Sequence, residues 1–369
     1  MARALTFTAF QSRRYIPALD GLRALAILGV LLHHTRGKPF GLLHGYRGVW
    51  VFFVLSGFLI TTLALREANL GRFDLRGFVI RRTFRILPLY YLTLLAYLVW
   101  VFVLNMEPNA DVFAQSMLNF VFYTPEFPIF RTDFGVPFGQ SWSLGIEEKF
   151  YLVWPTLAFV VLARSHHRIA VTVLLIVFGA VLTAQGGWLA QMWGSYTDIL
   201  IGCLLAQLLN ERATYEKLAV LGRTGIAWAV IALLALATLR NGTTQLGERS
   251  FSLLAAAAIT ALVTNERGPA QHMSTPWLLR IGVWSYAIYL THAIVFDVVN
   301  QTMPPGRIGN VLTLPATLLI DLPICWLLHR YIEKPLINIG RKLASRRRVP
   351  ALSISRPSDP LGASRPPSP

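Results

Sequence analysis

Ten stretches of this sequence are apolar over most of the length that a membrane-crossing helix requires, and nearly all charged residues fall between them. A helix needs about 20 mostly apolar residues to cross a hydrocarbon core about 30 Å thick. The stretches run approximately over residues 18–35, 49–66, 86–104, 144–163, 169–185, 193–209, 226–239, 251–264, 279–299 and 311–331. The seventh and eighth are the shortest. A further apolar run at 112–123 is too short to span and is expected at the interface. The composition agrees, with 54% hydrophobic and 14% charged residues, against about 25% charged in a soluble domain. The fold class expected is therefore an all-α integral membrane protein of about ten helices, with a lipid bilayer as its first partner.

The net charge of +16 does not point to nucleic acid, because the basic residues sit at the ends of apolar runs and not along one soluble face. With the N-terminus placed in the cytoplasm, 24 of the 34 Lys and Arg residues fall in cytoplasmic segments and 7 on the opposite side, with Arg23, Lys149 and Arg330 inside helices. This bias predicts an N-in, C-in topology. Met1 to Arg14 is polar and basic with no small-residue cleavage pattern, so the first apolar run is expected as a retained helix. Cys203 and Cys325 lie inside apolar runs without metal-ligand spacing or a disulfide framework, and read as packing residues; no metal is expected.

Three regions follow: a cytoplasmic segment at 1–14, a membrane domain at 15–340, and a basic, Pro/Ser-rich tail at 341–369 expected to be disordered. The longest segment assigned to the external side, 105–142, is rich in aromatics and is expected to form an ordered cap over the helices.

Ionisable residues inside membrane helices are expensive and are the first functional candidates. Arg23 and His34 are eleven residues apart, three turns plus roughly 20°, and so share a helix face about 16 Å apart along the axis. His33 lies about 80° away from Arg23. A general base at His34 and a purely structural interfacial histidine are both compatible with this spacing. Ser56-Gly57 in the second helix reads as close helix packing, or as a hydroxyl offered to a cavity. Arg81, Arg82 and Arg85 form one basic face at the start of the third run, suited to clamping phosphates and equally to positive-inside anchoring. Ser143, Glu147 and Tyr151 are spaced by four and share a face; Glu147 is either part of an acceptor site or half of an internal ion pair. Asp198, Ser285, Tyr286, Tyr289, His292, Asp297, Asp321 and His329 are further polar residues in or near helices, several of them candidates to line a common cavity.

These blocks resemble the bacterial acyltransferase-3 family of integral membrane acyltransferases. Pro17-Ala-Leu-Asp20-Gly21-Leu-Arg23 with His34 is similar to its opening arginine–histidine motif, and Val51-Phe-Phe-Val-Leu-Ser56-Gly57-Phe58 to its second-helix motif. Arg82-Thr-Phe-Arg85 resembles its arginine pair, and Ser143-Leu-Gly-Ile-Glu147-Glu-Lys-Phe150-Tyr151 its serine–glutamate–tyrosine block. Ser285-Tyr286, Tyr289-Leu-Thr-His292 and Tyr331-Ile-Glu333-Lys334-Pro335 resemble its last two blocks, with Lys334 standing where arginine is common.

The resemblance covers about residues 15 to 340. It implies transfer of an acyl group, commonly acetyl, from cytoplasmic acyl-CoA to a hydroxyl of a sugar, a glycan or a secondary metabolite. It implies His34 as the base, with Arg82 and Arg85 (and their neighbour Arg81) on the CoA phosphates. Arg23 and Glu147 then belong to the catalytic path, and Ser56, Ser143, Tyr151 and His292 to the cavity. Many relatives carry an additional hydrolase-like domain that this sequence does not include, so a stand-alone member is expected. The rival reading is a transporter or flippase of a lipid-linked sugar, which also needs charges facing a cavity; no matching broken helices or repeat halves support it.

Overall fold

The computed structural model describes residues 4–35, 43–132, 135–162, 164–239, 245–304 and 306–345. Most of the expected tail, from residue 346 onward, lies outside the described residues. Among these the chain is all-helical. Each of the ten apolar runs forms a helix: α1 (Pro17–His34), α2 (Arg47–Asn69), α3 (Leu75–Leu98), α4 (Trp142–Thr156), α5 (Ser165–Thr183), α6 (Gly187–Asn210), α7 (Thr224–Ala237), α8 (Gln245–Val263), α9 (Pro276–Thr302) and α10 (Arg307–Leu328).

By length and apolar content, six of the described helices suffice to cross a membrane. They are α2, α3 with its π-helical extension to Val103, α5, α6, α9, and α10 with its continuation to Ser345. A seventh is obtained if Arg212–Gly222 and Thr224–Ala237, bent by 77°, count as one broken span. Fewer helices than runs pass this test for physical reasons. The α1 helix is 18 residues long and contains Asp20 and Arg23, α4 carries Glu147, Glu148 and Lys149 near its start, and α7 is only 14 residues long.

The most extensive packing is between α2 and α6, followed by α1 against α9 and α5 against α6. Close approach of α2 and α6 depends on two glycines. A Cβ on Gly57 would collide with the Ile199 carbonyl, and a Cβ on Gly202 with the Val54 carbonyl. In lipid, helices associate through such close backbone contact because there is no water to drive them together. Gly57 is therefore a packing residue. Gly57→Leu is expected to lower the thermal midpoint of the detergent-purified protein sharply, as overpacking a tight contact costs about 1–3 kcal/mol or more; an unchanged midpoint in a fluorescence melting scan would contradict the contact.

The segment between α3 and α4 folds as three short helices, Ala110–Gln115, Met117–Val121 and Glu126–Arg131. Its aromatics explain its order. Tyr123 lies against Tyr90, ring centroids 4.2 Å apart, and Phe138 against Tyr97 at 4.8 Å. The Tyr90 hydroxyl donates to the Phe120 carbonyl at 3.0 Å. Glu126, fully buried, receives Lys149 of α4 at 2.6 Å, and Lys149 also donates to the Tyr123 carbonyl. Lys149 thus ties this segment to α4. Phe138 adopts a left-handed backbone (φ 64°) that turns the chain into α4.

Candidate active site

Two large chambers lie among the helices, with a small cavity, here called the throat, that shares lining residues with both. The first, about 470 Å³, is lined by Arg14, Arg66, Arg82, Arg85 and Arg341, with Arg23, Ser56, Glu147 and Tyr151 at its inner end. The second, about 620 Å³, is lined by His33 and His34, the aromatics Tyr46, Tyr97, Trp142 and Tyr289, the amides Asn109 and Gln140, and the carboxyls Glu107 and Asp297. The throat, about 70 Å³, shares Arg23, Phe52 and Glu147 with the arginine chamber and Val49 and Tyr289 with the histidine chamber. Ser143, Leu144, Ser285, Phe53 and Tyr286 complete it.

The α1 helix connects all three. Its Arg23 stands where the arginine chamber meets the throat, paired with Asp20 at 3.5 Å. Three turns later His34 faces the histidine chamber. Its Nδ1 lies 2.8 Å from the Val30 carbonyl. A carbonyl only accepts, so Nδ1 carries a hydrogen; in the neutral ring this leaves the lone pair on Nε2, the form a general base requires. His292 of α9 packs edge-on to His34, centroids 4.9 Å apart. It is fully buried behind the chamber wall, with Nδ1 3.1 Å from the Ile288 carbonyl. His33 stacks edge-on to Tyr46 instead, at 5.3 Å.

The remaining expected residues divide between the compartments. Arg82 and Arg85 both line the arginine chamber, and the Arg82 guanidinium lies 4.8 Å from the Tyr151 ring centre. Arg81 does not join them; its side chain turns to Glu67, with an Nη2–Oε1 distance of 2.9 Å, and anchors α3 to α2. The Tyr151 hydroxyl donates to Glu147 Oε2 at 2.9 Å and also bonds Ser56. Glu147 was a candidate for the acceptor site; its carboxylate faces the arginine chamber and the throat and does not line the histidine chamber. Ser143 hydrogen-bonds the Tyr289 hydroxyl at 2.7 Å, and that hydroxyl also donates to the Gln140 carbonyl, which fixes the throat's upper edge.

Four polar residues without a readable role now have places. Asp198 pairs with Arg249 and accepts from Ser252, a bridge between α6 and α8 away from the chambers. Asp321 accepts from Thr291 at 2.6 Å, joining α10 to α9. His329 and Glu333, 2.7 Å apart, line the arginine chamber. Asp297 faces the histidine chamber beside Glu107.

Arg14, Arg66 and Arg341 were not singled out from sequence, although all lie in segments that the charge count assigns to one side. Glu107, Tyr46, Tyr97 and Trp142 were also missed. Tyr46 and Tyr97 come from other parts of the chain, and Glu107 and Trp142 from near the two ends of the segment 105–142, so nothing local marks them as neighbours.

Comparison with known proteins agrees with the motifs. The sequence model described as an acyltransferase domain, of the acyltransferase-3 family, matches residues 16–330. A Bacillus subtilis (strain 168) protein, YrhL, provisionally named a peptidoglycan O-acetyltransferase, is 31% identical over 91% of this chain and 57% of its own length. The peptidoglycan O-acetyltransferase OatA of Listeria monocytogenes serovar 1/2a (strain ATCC BAA-679 / EGD-e) is 28% identical over 90% of this chain and 57% of its own length. A provisionally named O-acetyltransferase of Staphylococcus aureus (strain COL), SACOL0978, is 28% identical over 93% of this chain and 60% of its own length. This chain therefore spans somewhat more than half the length of these relatives. No solved structure matches it. From Ile16 at the start of α1 to Arg330 beyond α10, the chain belongs to the acyltransferase-3 family.

Proposed function

We propose that this protein is a multi-pass inner-membrane O-acetyltransferase that moves an acetyl group from cytoplasmic acetyl-CoA to a hydroxyl of a cell-surface glycan of the peptidoglycan type. The observation that supports the reading is a small cavity that shares lining residues with both an arginine-rich chamber and a histidine chamber. An arginine-rich chamber suits a phosphorylated donor. A chamber of aromatic faces, amides and carboxyls around a histidine suits a polyhydroxylated acceptor. The names of the relatives, which specify O-acetylation of peptidoglycan, favour the same acceptor class.

The arrangement in the membrane is about ten crossings, with the shorter helices α1, α4, α7 and α8 crossing beside the six long ones, and with N-in, C-in topology. Arg14, Arg66, Arg82, Arg85 and Arg341 all come from segments that the positive-inside bias places on the cytoplasmic side. Asn109, Gln140 and Glu107 come from the aromatic segment assigned to the opposite side.

In this mechanism Arg82 and Arg85 hold the CoA phosphates, and the pantetheine arm runs past Arg23 into the throat. The acceptor hydroxyl enters from the histidine chamber and gives its proton to Nε2 of His34. Its oxygen bonds the thioester carbonyl carbon, the C–S bond breaks, and CoA leaves as the thiol with the proton that His34 returns. The Arg23 cation favours the negative charge that develops on the carbonyl oxygen.

The test is reconstitution of the purified full chain in lipid nanodiscs with acetyl-CoA and soluble peptidoglycan fragments. The expected product is a base-labile acetyl ester on the glycan, detected by mass, with stoichiometric release of free CoA thiol. Binding of the glycan with no acetyl-CoA turnover would instead favour a carrier for glycan.

A further inference from the structure

The throat contains a polar group that neither chamber uses. Ser285 of α9 is 1% exposed, lines the throat, and has no hydrogen-bond partner for its hydroxyl among the described residues. The serine opposite, Ser143, is engaged with Tyr289. A buried hydroxyl without a partner costs free energy, and this one lies on the wall of a cavity where a ligand atom can accept from it. Most other polar groups at this junction are occupied. Arg23 pairs with Asp20, Glu147 accepts from Tyr151, and Tyr286 donates to the Ile86 carbonyl at 2.7 Å.

The rest of the throat is apolar and tight. Phe52 stands between the arginine chamber and the throat, Phe53 and Leu144 wall it, and Val49 stands between the throat and the histidine chamber. Its volume of about 70 Å³ is far smaller than that of either chamber. It is the one compartment of the three that borders both.

We propose that the throat is the acyl pocket, where the Ser285 hydroxyl donates to the thioester carbonyl oxygen and the Phe52 and Phe53 rings confine the acyl group to a short chain. The inference rests on the acetyl-CoA reading above and adds to it a carbonyl-binding residue and a basis for chain-length selection. When the acceptor oxygen bonds the carbonyl carbon, the C=O electron pair moves onto the oxygen that Ser285 and Arg23 face. When that pair returns, the C–S bond breaks and the sulfur leaves toward the arginine chamber. Ser285 loses no proton; it contributes a hydrogen bond that strengthens as charge develops. The methyl of an acetyl group lies against Phe52 and Phe53, and each further methylene meets the same walls.

The test uses the full chain in nanodiscs, with Ser285→Ala, Phe52→Ala and the parent compared on acetyl-CoA and butyryl-CoA, and with CoA binding measured separately by calorimetry. Ser285→Ala removes one oxygen and leaves the packing otherwise unchanged. Its kcat on acetyl-CoA is expected to fall about 100-fold, the effect of removing one oxyanion donor, with the Kd for CoA unchanged. Phe52→Ala is expected to narrow the acetyl-over-butyryl preference in kcat/KM by about tenfold, the lower end of what one methylene is worth in a fitted pocket. Parental kcat in Ser285→Ala, or an unchanged chain-length preference in Phe52→Ala, overturns the acyl pocket while leaving acetyl transfer intact. A parent protein that binds no CoA and releases no thiol overturns the acetyl-CoA reading itself, and the pocket with it.

Discussion

Replacing His34 with alanine is expected to reduce acetyl transfer by about three orders of magnitude, within the range that a positioned general base supplies, while the protein still elutes as a folded monodisperse species. The argument is geometric. His34 faces the chamber with Nδ1 committed to the Val30 carbonyl, so the Nε2 lone pair is the available base. His33, one residue earlier, also lines the chamber, but its ring packs against Tyr46. His33→Ala is therefore expected to alter the apparent affinity for glycan more than kcat. The His34 side chain makes one hydrogen bond to its own helix and edge contacts with His33 and His292, so its loss leaves no buried charge behind and folding is expected to survive. The measurement is steady-state kinetics of thiol release for both variants. Full activity in His34→Ala with loss in His33→Ala would reverse the assignment, and would mean that the α1 face containing Arg23 is not the reactive one.

Much of this site could be read along the chain because it is built on helices, where spacing converts directly into direction. The eleven-residue interval from Arg23 to His34 placed both on one face of α1, and in the structure Arg23 opens the throat while His34 faces the chamber beyond it. The four-residue spacing of Ser143, Glu147 and Tyr151 likewise put all three on the inner face of α4.

Helix periodicity says nothing, however, about which neighbour a face meets. Arg81 has the same local character as Arg82 and Arg85, and only the packing of α3 on α2 shows that Glu67 takes it. Spacing leaves Glu147 either in an acceptor site or in an internal ion pair; in the structure Ser56 and Tyr151, 95 residues apart in sequence, close around it in the arginine chamber. Apolarity alone starts this run at residue 86, whereas α3 begins at Leu75 and contains Arg76, Arg81, Arg82 and Arg85. A charge that marks a membrane boundary and a charge that faces a buried chamber look alike in sequence; burial and partners separate them.

That distinction sets up the second large effect. Arg82→Ala combined with Arg85→Ala is expected to weaken CoA binding by at least 100-fold, since hydrogen bonds to charged groups contribute about 1.5–3 kcal/mol each and two are removed. Either single variant is expected to lose roughly tenfold or more on the same basis. Arg81→Ala supplies the contrast. It has the same charge change and the same position along α3, but its side chain is held by Glu67 outside the chamber. If the arginines acted only as positive-inside anchors, the three positions would be interchangeable and none would alter CoA affinity. If they form a phosphate site, Arg82 and Arg85 separate from Arg81, and the double variant loses part of the salt dependence of binding together with the affinity, because the lost contacts are between charges. Calorimetric titration of CoA and of dephospho-CoA into the detergent-purified parent and the four variants, each at two ionic strengths, distinguishes these cases. CoA affinity that survives the loss of both Arg82 and Arg85 would remove the donor from this chamber and leave Arg14, Arg66 and Arg341 as a basic surface without a ligand.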